Sequence, residues 1–314
     1  MVRKHTRRAA KAAFAVSFGV ALLIGLVAAG YASRATTAKA AAVGNPKIIL
    51  GSKNFSEETL LGQLYGQALK VKGFPVTYKP SIGSSELIDT AITSGKINIY
   101  PEYTGVIALD LAKVKNSPKT AKATYQAAKT FEQSRGLTLT NPTPFADTDT
   151  FTMLRSTAKK DGLKKMSDLK KLSSFSYAGY PECQTRITCI LGMKRIYGLK
   201  HIRFVQIGTI SVYTLLDEHK ADGGDGFSTD PQQLQKKYIA LVDDKHIFGF
   251  QNVAPVVKKS LLSGPGGPLL KQTLNAVSAT LTLKAMQQMN KAIVIDKVSI
   301  KTVAKKFLQA NGLA

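Results

Sequence analysis

Short apolar runs alternate with longer amphipathic segments along residues 48–100. The runs at 48–50, 74–78 and 97–100 have the length of strands. Between them, apolar residues recur every three or four positions, as on one face of a helix. The inward residues of these two predicted helices are Leu60, Leu61, Leu64, Tyr65, Ala68 and Leu69, then Leu87, Ile88, Ala91 and Ile92. This strand and helix order predicts a parallel sheet flanked by helices.

A second unit of the same kind is predicted from about residue 148 onwards. Strands are expected at 151–154, 175–178 and 202–205, with helices at 186–197 and 211–219. Residues 266–314 have the pattern of several helices. The fold class is therefore α/β.

Three polar loops follow the first three predicted strands: GSKN, GSSE and YPEYTG. Ligands bind at the carboxyl ends of strands in open α/β sheets. Two of the loops precede helices, where Asn54 or Ser56 can cap the first and free N–H groups suit an anion. The third strand is expected to end at a turn beginning with Pro101. Tyr103 is then either a ligand contact or an ordinary packing residue.

The N-terminal segment 1–40 has the features of an export signal. A basic stretch, MVRKHTRRAAK, precedes an apolar run at 12–30 and an Ala-x-Ala site at Ala38 to Ala40. The apolar run is nearly long enough for a membrane span, so an uncleaved anchor stays open. Either interpretation predicts an extracytoplasmic protein.

Composition narrows the class of protein. The chain has 314 residues, 44% of them hydrophobic, which is enough for two domains with cores. Its formal net charge of +24 suggests an anionic partner surface. Export disfavours nucleic acid and favours a cell wall or an anionic membrane.

Cys183 and Cys189 are the only cysteines. In an oxidising compartment they favour a local disulfide, the alternative being two buried thiols. The four histidines show no metal-ligand spacing, so no metal and no cofactor is expected. The chain also lacks the sequence motifs of serine hydrolases, zinc proteases and P-loop enzymes, so an enzyme is disfavoured.

Several stretches resemble the substrate-binding proteins of osmoprotectant ABC transporters, which bind glycine betaine, choline or carnitine. They are GSKNFSEETLLGQLYGQAL, GSSELIDTAITSGKINIYPEYTG, Pro181 to Arg186, YGLK, STDP, LVDDK and APVV. The resemblance implies a two-lobed periplasmic-binding-protein-like fold with a two-segment hinge and a mixed sheet in each lobe. Residues 46–147 plus 251–314 would form lobe I, and residues 148–250 would form lobe II.

The resemblance also implies a site. Family members hold a quaternary ammonium in an aromatic box and a ligand carboxylate on cationic residues. The corresponding positions here are Lys53, Tyr103, Phe151, Arg186, Phe227 and Gln251. Gln251 stands where a box tyrosine is usual, which leaves three rings. The alternatives are a solvated Lys53, core roles for the phenylalanines and a pairing of Arg186 with Glu182.

The expected function is delivery of a compatible solute to an ABC permease by a monomer. The incomplete box leaves a different polar solute open. A membrane-anchored sensor is a further alternative, although the chain carries no second signalling domain.

Overall fold

The computed structural model describes residues 44–208 and 210–314. No helix within these residues combines the length and apolar character that crossing a membrane requires. The predicted export signal or anchor at 1–40 lies outside the described residues.

The first sheet has the strand order β2 (Val76–Lys79), β1 (Ile48–Gly51), β3 (Ile99–Tyr103), β10 (Val253–Lys258) and β4 (Leu137–Leu139). Strands β1, β2 and β3 run parallel, and β10 is antiparallel to both of its neighbours. The elements before the crossing to the second sheet are β1 (Ile48–Gly51), α1 (Ser56–Val71), β2 (Val76–Lys79), α2 (Ser85–Thr93), β3 (Ile99–Tyr103), a π-helix (Val106–Leu111), α3 (Ala121–Ser134) and β4 (Leu137–Leu139).

The second sheet has the order β7-β6-β8-β5-β9. Strands β6, β7 and β8 are parallel, whereas β5 is antiparallel to β8 and β9. Its elements are β5 (Asp149–Leu154), α4 (Arg155–Lys160), β6 (Phe175–Gly179), α5 (Ile190–Arg195), β7 (Ile202–Gln206), α6 (Val212–Asp217), β8 (Gly223–Phe227) and β9 (Tyr238–Leu241), with 3₁₀ helices at Met166–Lys171, Pro181–Gln184 and Pro231–Leu234.

The chain then returns to the first sheet. The returning elements are β10 (Val253–Lys258), α7 (Lys259–Ser263), α8 (Gly267–Thr280), α9 (Leu283–Val294) and α10 (Ile300–Ala310). The two sheets with their helices form lobe I and lobe II, which confirms the predicted two-lobed fold. The chain passes between the sheets at 140–148 and 242–252, and there the Asp147 N–H donates to the Gln251 carbonyl at 3.0 Å. The lobe boundaries at 147/148 and 250/251 stay a prediction.

Each lobe has its own apolar core. The predicted stripe of α1 is buried against β1 and the C-terminal helices, with Leu60, Leu61 and Leu64 fully inaccessible. In lobe II, Phe151, Met153 and Tyr177 pack with α5 and the 3₁₀ segment at Met166–Lys171. This burial of apolar area is the main stabilisation of both lobes.

Three local predictions were wrong. Leu87 is 58% exposed instead of inward. Strand β3 continues through Pro101 to Tyr103, because Pro101 faces Pro255 between hydrogen-bonded pairs of the antiparallel ladder, where no N–H is needed. The helix expected at 186–197 is confined to Ile190–Arg195. The preceding residues include β-branched Thr185, Ile187 and Thr188, which disfavour helix.

Candidate functional site

A cleft lies between the two lobes. Its enclosed volume is about 70 Å³, which is smaller than the roughly 300–1,000 Å³ usual for small-ligand sites. Lys53 follows β1, Ser84 and Ser85 lie at the start of α2 after β2, and Tyr103 ends β3, so the structure brings the carboxyl ends of these three strands together. The other lining residues are Asn54, Phe55, Val106, Asp147, Asp149, Tyr180, Glu182, Cys183, Arg186, Thr188, Cys189, Asp225, Phe227 and Gln251.

Three near-parallel aromatic rings line the cleft. Phe55 stacks on Tyr103 at 6.4 Å between ring centroids and on Phe227 at 6.1 Å, with interplanar angles of 14° and 1°. Phe55 and Tyr103 belong to lobe I and Phe227 to lobe II. The rings therefore bridge the lobes, but they form a stack and not the facing walls of a box.

Phe55 was missed by the sequence interpretation. It is itself the N-cap residue of α1, with an extended backbone at φ −131° and no side-chain capping bond. The prediction that Asn54 or Ser56 caps this helix was therefore wrong. The sequence did offer a signal for Phe55, because it lies in the loop between β1 and α1. Loops at the carboxyl ends of strands are where ligands bind in such sheets.

Hydrogen bonds on the side away from the cleft fix the position of Tyr103. Its hydroxyl donates to Glu57 Oε1 at 2.9 Å, and Asn290 Nδ2 donates to the other Glu57 oxygen at 2.7 Å. Tyr103 is only 5% exposed. The ring is thus fixed in position while its face borders the cleft.

Lys53 lines the cleft, yet its ammonium is already paired. It contacts Glu102 at short range, Ser85 Oγ at 3.2 Å and Glu58 Oε1 at 3.7 Å. Its Nζ also lies 4.3 Å from the centroid of the Tyr103 ring. Burial raises the pKa of Glu58 to about 8, although the charge of Lys53 opposes this rise. Lys53 therefore closes a buried charge network and is not a solvated loop lysine.

Arg186 reaches across from lobe II to lobe I. Its guanidinium donates to Glu86 at 3.0 and 3.1 Å, so it does not make the expected alternative pair with Glu182. Nearby, the Thr188 hydroxyl donates to the Asp110 carboxylate at 3.0 Å. These two contacts join the lobes beside the cleft.

Gln251 is 1% exposed, and its side-chain amide is used internally. Its Oε1 accepts from the Val106 N–H and its Nε2 donates to the Phe248 carbonyl, each at 3.1 Å. A Cβ on Gly105 would lie 2.6 Å from Gln251 Oε1, so this amide packs directly under the Gly105 backbone. Gln251 fixes the turn after Tyr103.

Phe151 does not reach the cleft. It is 1% exposed and packs on Phe175 and Tyr177, with ring centroids 5.6 and 5.1 Å away. Its ring covers Gly223, where a Cβ would lie 2.3 Å from a ring carbon. Phe151 therefore packs in the core of lobe II.

Four carboxylates line the cleft that the sequence interpretation did not single out: Asp147, Asp149, Glu182 and Asp225. Asp147 accepts from the Thr229 hydroxyl at 2.7 Å. Burial raises the pKa of Asp149 to about 7, an effect that Arg186 partly offsets. Burial likewise raises the pKa of Asp225 well above its usual range.

Cys183 and Cys189 form a disulfide at the cleft wall. Among the described residues, the one group with a metal-like arrangement is these two cysteines with Asp225. Sulfurs bonded to each other are not thiolate ligands.

Two α/β lobes joined by two chain segments, with a cleft between them, define a two-lobed substrate-binding protein. Residues 46–310 match the family described as the substrate binding domain of ABC-type glycine betaine transport systems. The chain belongs to this family, which confirms the resemblance seen in the sequence. The family consists of transport proteins that bind small solutes outside the cytoplasm, and it is not an enzyme family.

Individual relatives agree with this membership. The glycine-betaine-binding protein of Pseudomonas aeruginosa is 29% identical over 301 residues, covering 92% of each chain. The Escherichia coli glycine betaine-binding protein YehZ is 28% identical over 276 residues, covering 84% of this chain and 90% of YehZ. A crystal structure titled as a glycine betaine/carnitine/choline ABC transporter has a TM-score of 0.68 at 25% identity, covering 85% of this chain and 99% of that chain.

Proposed function

We propose that this protein captures a compatible solute, such as glycine betaine, choline or a related quaternary ammonium compound, and delivers it to an ABC permease. The observation that carries the proposal is the ring stack of Phe55, Tyr103 and Phe227 inside an interlobe cleft. A trimethylammonium group has no N–H to donate, so ring faces are the groups that can recognise it. Each well-placed ring contributes about 0.5–2 kcal/mol to such binding.

The mechanism is closure of the lobes around the solute. A ligand shifts this equilibrium only by binding the closed arrangement more tightly than the open one. Contact with rings from both lobes supplies that difference, because Phe227 meets Phe55 only when the lobes are together. The closed form is then the one that the permease recognises.

The proposal also covers the oligomeric state, the location and the N-terminal segment of the protein. The protein acts as a monomer outside the cytoplasm, without nucleic acid and without catalysis, and its segment 1–40 is either removed on export or kept as an anchor. A light-scattering mass of one chain and an N-terminal sequence of the exported protein check these points.

A different polar solute on the same fold is the second candidate. Two observations favour it: the rings form a stack instead of a box, and the Gln251 amide is engaged with Val106 and Phe248. A membrane-anchored sensor has no such support from the described residues.

Mass spectrometry of solute released from the exported protein tests the proposal. We expect one small organic ion, chemically unchanged and bound at one per chain. Reaction products in place of an intact solute, or a stable empty protein from osmotically stressed cells, would contradict it. The Tyr103→Ala variant is the control. Its binding should weaken by about 1–3 kcal/mol, so it should release less solute than the unaltered protein if the solute is bound in the cleft.

A further inference from the structure

The cleft and the whole chain differ in charge. The chain carries a formal net charge of +24. The cleft, in contrast, is lined by four carboxylates and only two cationic side chains, Lys53 and Arg186. A cleft can be acidic in a basic protein, because exposed charges more than about 10 Å away are screened by salt. The charges that line the cleft therefore decide which solute it attracts.

Both cations of the cleft are already matched to carboxylates of lobe I. Lys53 is paired with Glu102 and Glu58, and Arg186 is paired with Glu86. A carboxylate on the solute would therefore compete with existing pairs. It would also lie among Asp147, Asp149, Glu182 and Asp225, and each of these carboxyl groups that is ionised would repel it.

Asp149 and Asp225 lie on the same face of the lobe II sheet. Asp149 is directly opposite Phe227, and Asp225 is directly opposite Phe151, in the antiparallel pairing of β5 with β8. The two aspartates are thus diagonal neighbours, about 7–8 Å apart at this position of a ladder. Asp149 is adjacent to the Phe227 ring of the stack.

These two carboxylates have unused hydrogen-bonding capacity. Asp225 is 8% exposed, and among the described residues one of its oxygens accepts from the Tyr177 hydroxyl at 3.2 Å while the other has no partner. Asp149 is partly exposed, and its carboxylate is hydrogen-bonded by its own backbone N–H. The second Asp225 oxygen is therefore free to accept, and a ligand O–H or N–H in the cleft would satisfy it.

We infer that the cleft selects a small organic cation that has no carboxylate and offers an O–H or N–H donor, with Asp149 and Asp225 as the residues that determine this specificity. The aromatic stack binds the cationic head, and the aspartates bind the donor. The inference rests on the proposed function and narrows its substrate class from zwitterions to cations.

Choline and glycine betaine are a matched pair of probes. They share the trimethylammonium head and differ in a hydroxymethyl group against a carboxylate. Calorimetric titration of the full chain at pH 8, above the pKa of about 7 of Asp149 in the empty cleft, should give choline the lower Kd by about tenfold or more.

The variants Asp149→Asn and Asp225→Asn each replace a carboxyl group, and the charge it carries when ionised, by a neutral amide of similar shape. Each should raise the Kd for choline about tenfold and leave that for glycine betaine unchanged or lower. Glu218→Gln removes the same charge from an exposed position in lobe II and should change neither Kd. Circular dichroism and thermal unfolding identify any variant that fails to fold. In that case the Kd values of the other aspartate variant test the inference.

Glycine betaine binding as tight as choline, with no response to either aspartate variant, would overturn the inference and leave solute capture intact. Absence of choline binding would also overturn it. If no betaine, choline or carnitine binds and no solute is released from the exported protein, the proposed function itself fails.

Discussion

Phe55 contacts both of the other rings in the cleft, and these rings belong to different lobes. Replacing Phe55 with leucine keeps an apolar side chain and removes the π face. We expect Phe55→Leu to weaken solute binding by about 0.5–2 kcal/mol. Titration of the variant measures this change.

Phe151→Leu is the matched control, because the same exchange is made at a ring outside the cleft. Its affinity should equal that of the unaltered protein, while the free energy of unfolding falls by about 1 kcal/mol. Urea unfolding of both variants separates the two effects. Loss of affinity in Phe151→Leu with none in Phe55→Leu would reverse the assignment.

Asp149 gives solute binding a pH dependence. Its pKa is raised to about 7 by burial, and the charged or titratable groups around it include Arg186, Asp110, Lys53 and Asp225. Only the ionised carboxylate attracts a cation, so choline affinity should rise about tenfold between pH 6 and pH 8 as the proton leaves. Asp149→Asn should abolish this change, and an affinity that falls with rising pH would contradict it.

The sequence led to Lys53, Tyr103, Arg186, Phe227 and Gln251, and all five line the cleft. Resemblance supplied these positions but not their contacts. It could not show that the charges of Lys53 and Arg186 are already paired. Their partners Glu102 and Glu86 are far from them in the sequence, and only the fold brings each pair together. Asp149 and Asp225 precede Phe151 and Phe227 by two residues, yet only the tertiary fold shows which end of each strand faces the cleft.

At the scale of elements, the segment from Tyr180 to Ile190 forms the lobe II wall of the cleft. The Cys183–Cys189 disulfide closes a loop around Arg186 within it. Periodicity predicted most helices and strands well, since the apolar stripe of α1 is buried as expected and β5 contains the strand expected at 151–154. It failed at 186–197, where residues reach to the other lobe instead of continuing a helix.

Removing the disulfide should destabilise this wall. For a loop of this size, Cys183→Ser with Cys189→Ser should lower the free energy of unfolding by about 2 kcal/mol and weaken solute binding. Urea unfolding measures the change, with the reduced unaltered protein as the control. Two free thiols in the folded exported protein would contradict the disulfide.

The Arg186–Glu86 pair links the lobes, and Asp89 on the same helix α2 pairs with Arg135 inside lobe I. Glu86→Gln should therefore favour opening by about 0.3–1 kcal/mol, seen as a larger radius of gyration of the solute-free protein in X-ray scattering. Asp89→Asn should leave that radius unchanged. Equal radii for both variants, with and without solute, would argue against the link.

At the scale of the whole molecule, the two lobes and their two crossings were predictable because resemblance and strand order agreed. The acidic lining of the cleft was not predictable, since the net charge of +24 gives no indication that four carboxyl groups lie together at one site. The basic exterior suits an anionic surface near the permease, while the cleft suits a cation.

Calorimetric titration of the purified protein with choline, glycine betaine and carnitine tests the central claim most directly. We predict saturable binding of at least one of them at one solute per chain, with a Kd on the order of micromolar and with choline tightest. A folded protein that takes up none of the three, and from which no tightly bound solute was released beforehand, would contradict the account.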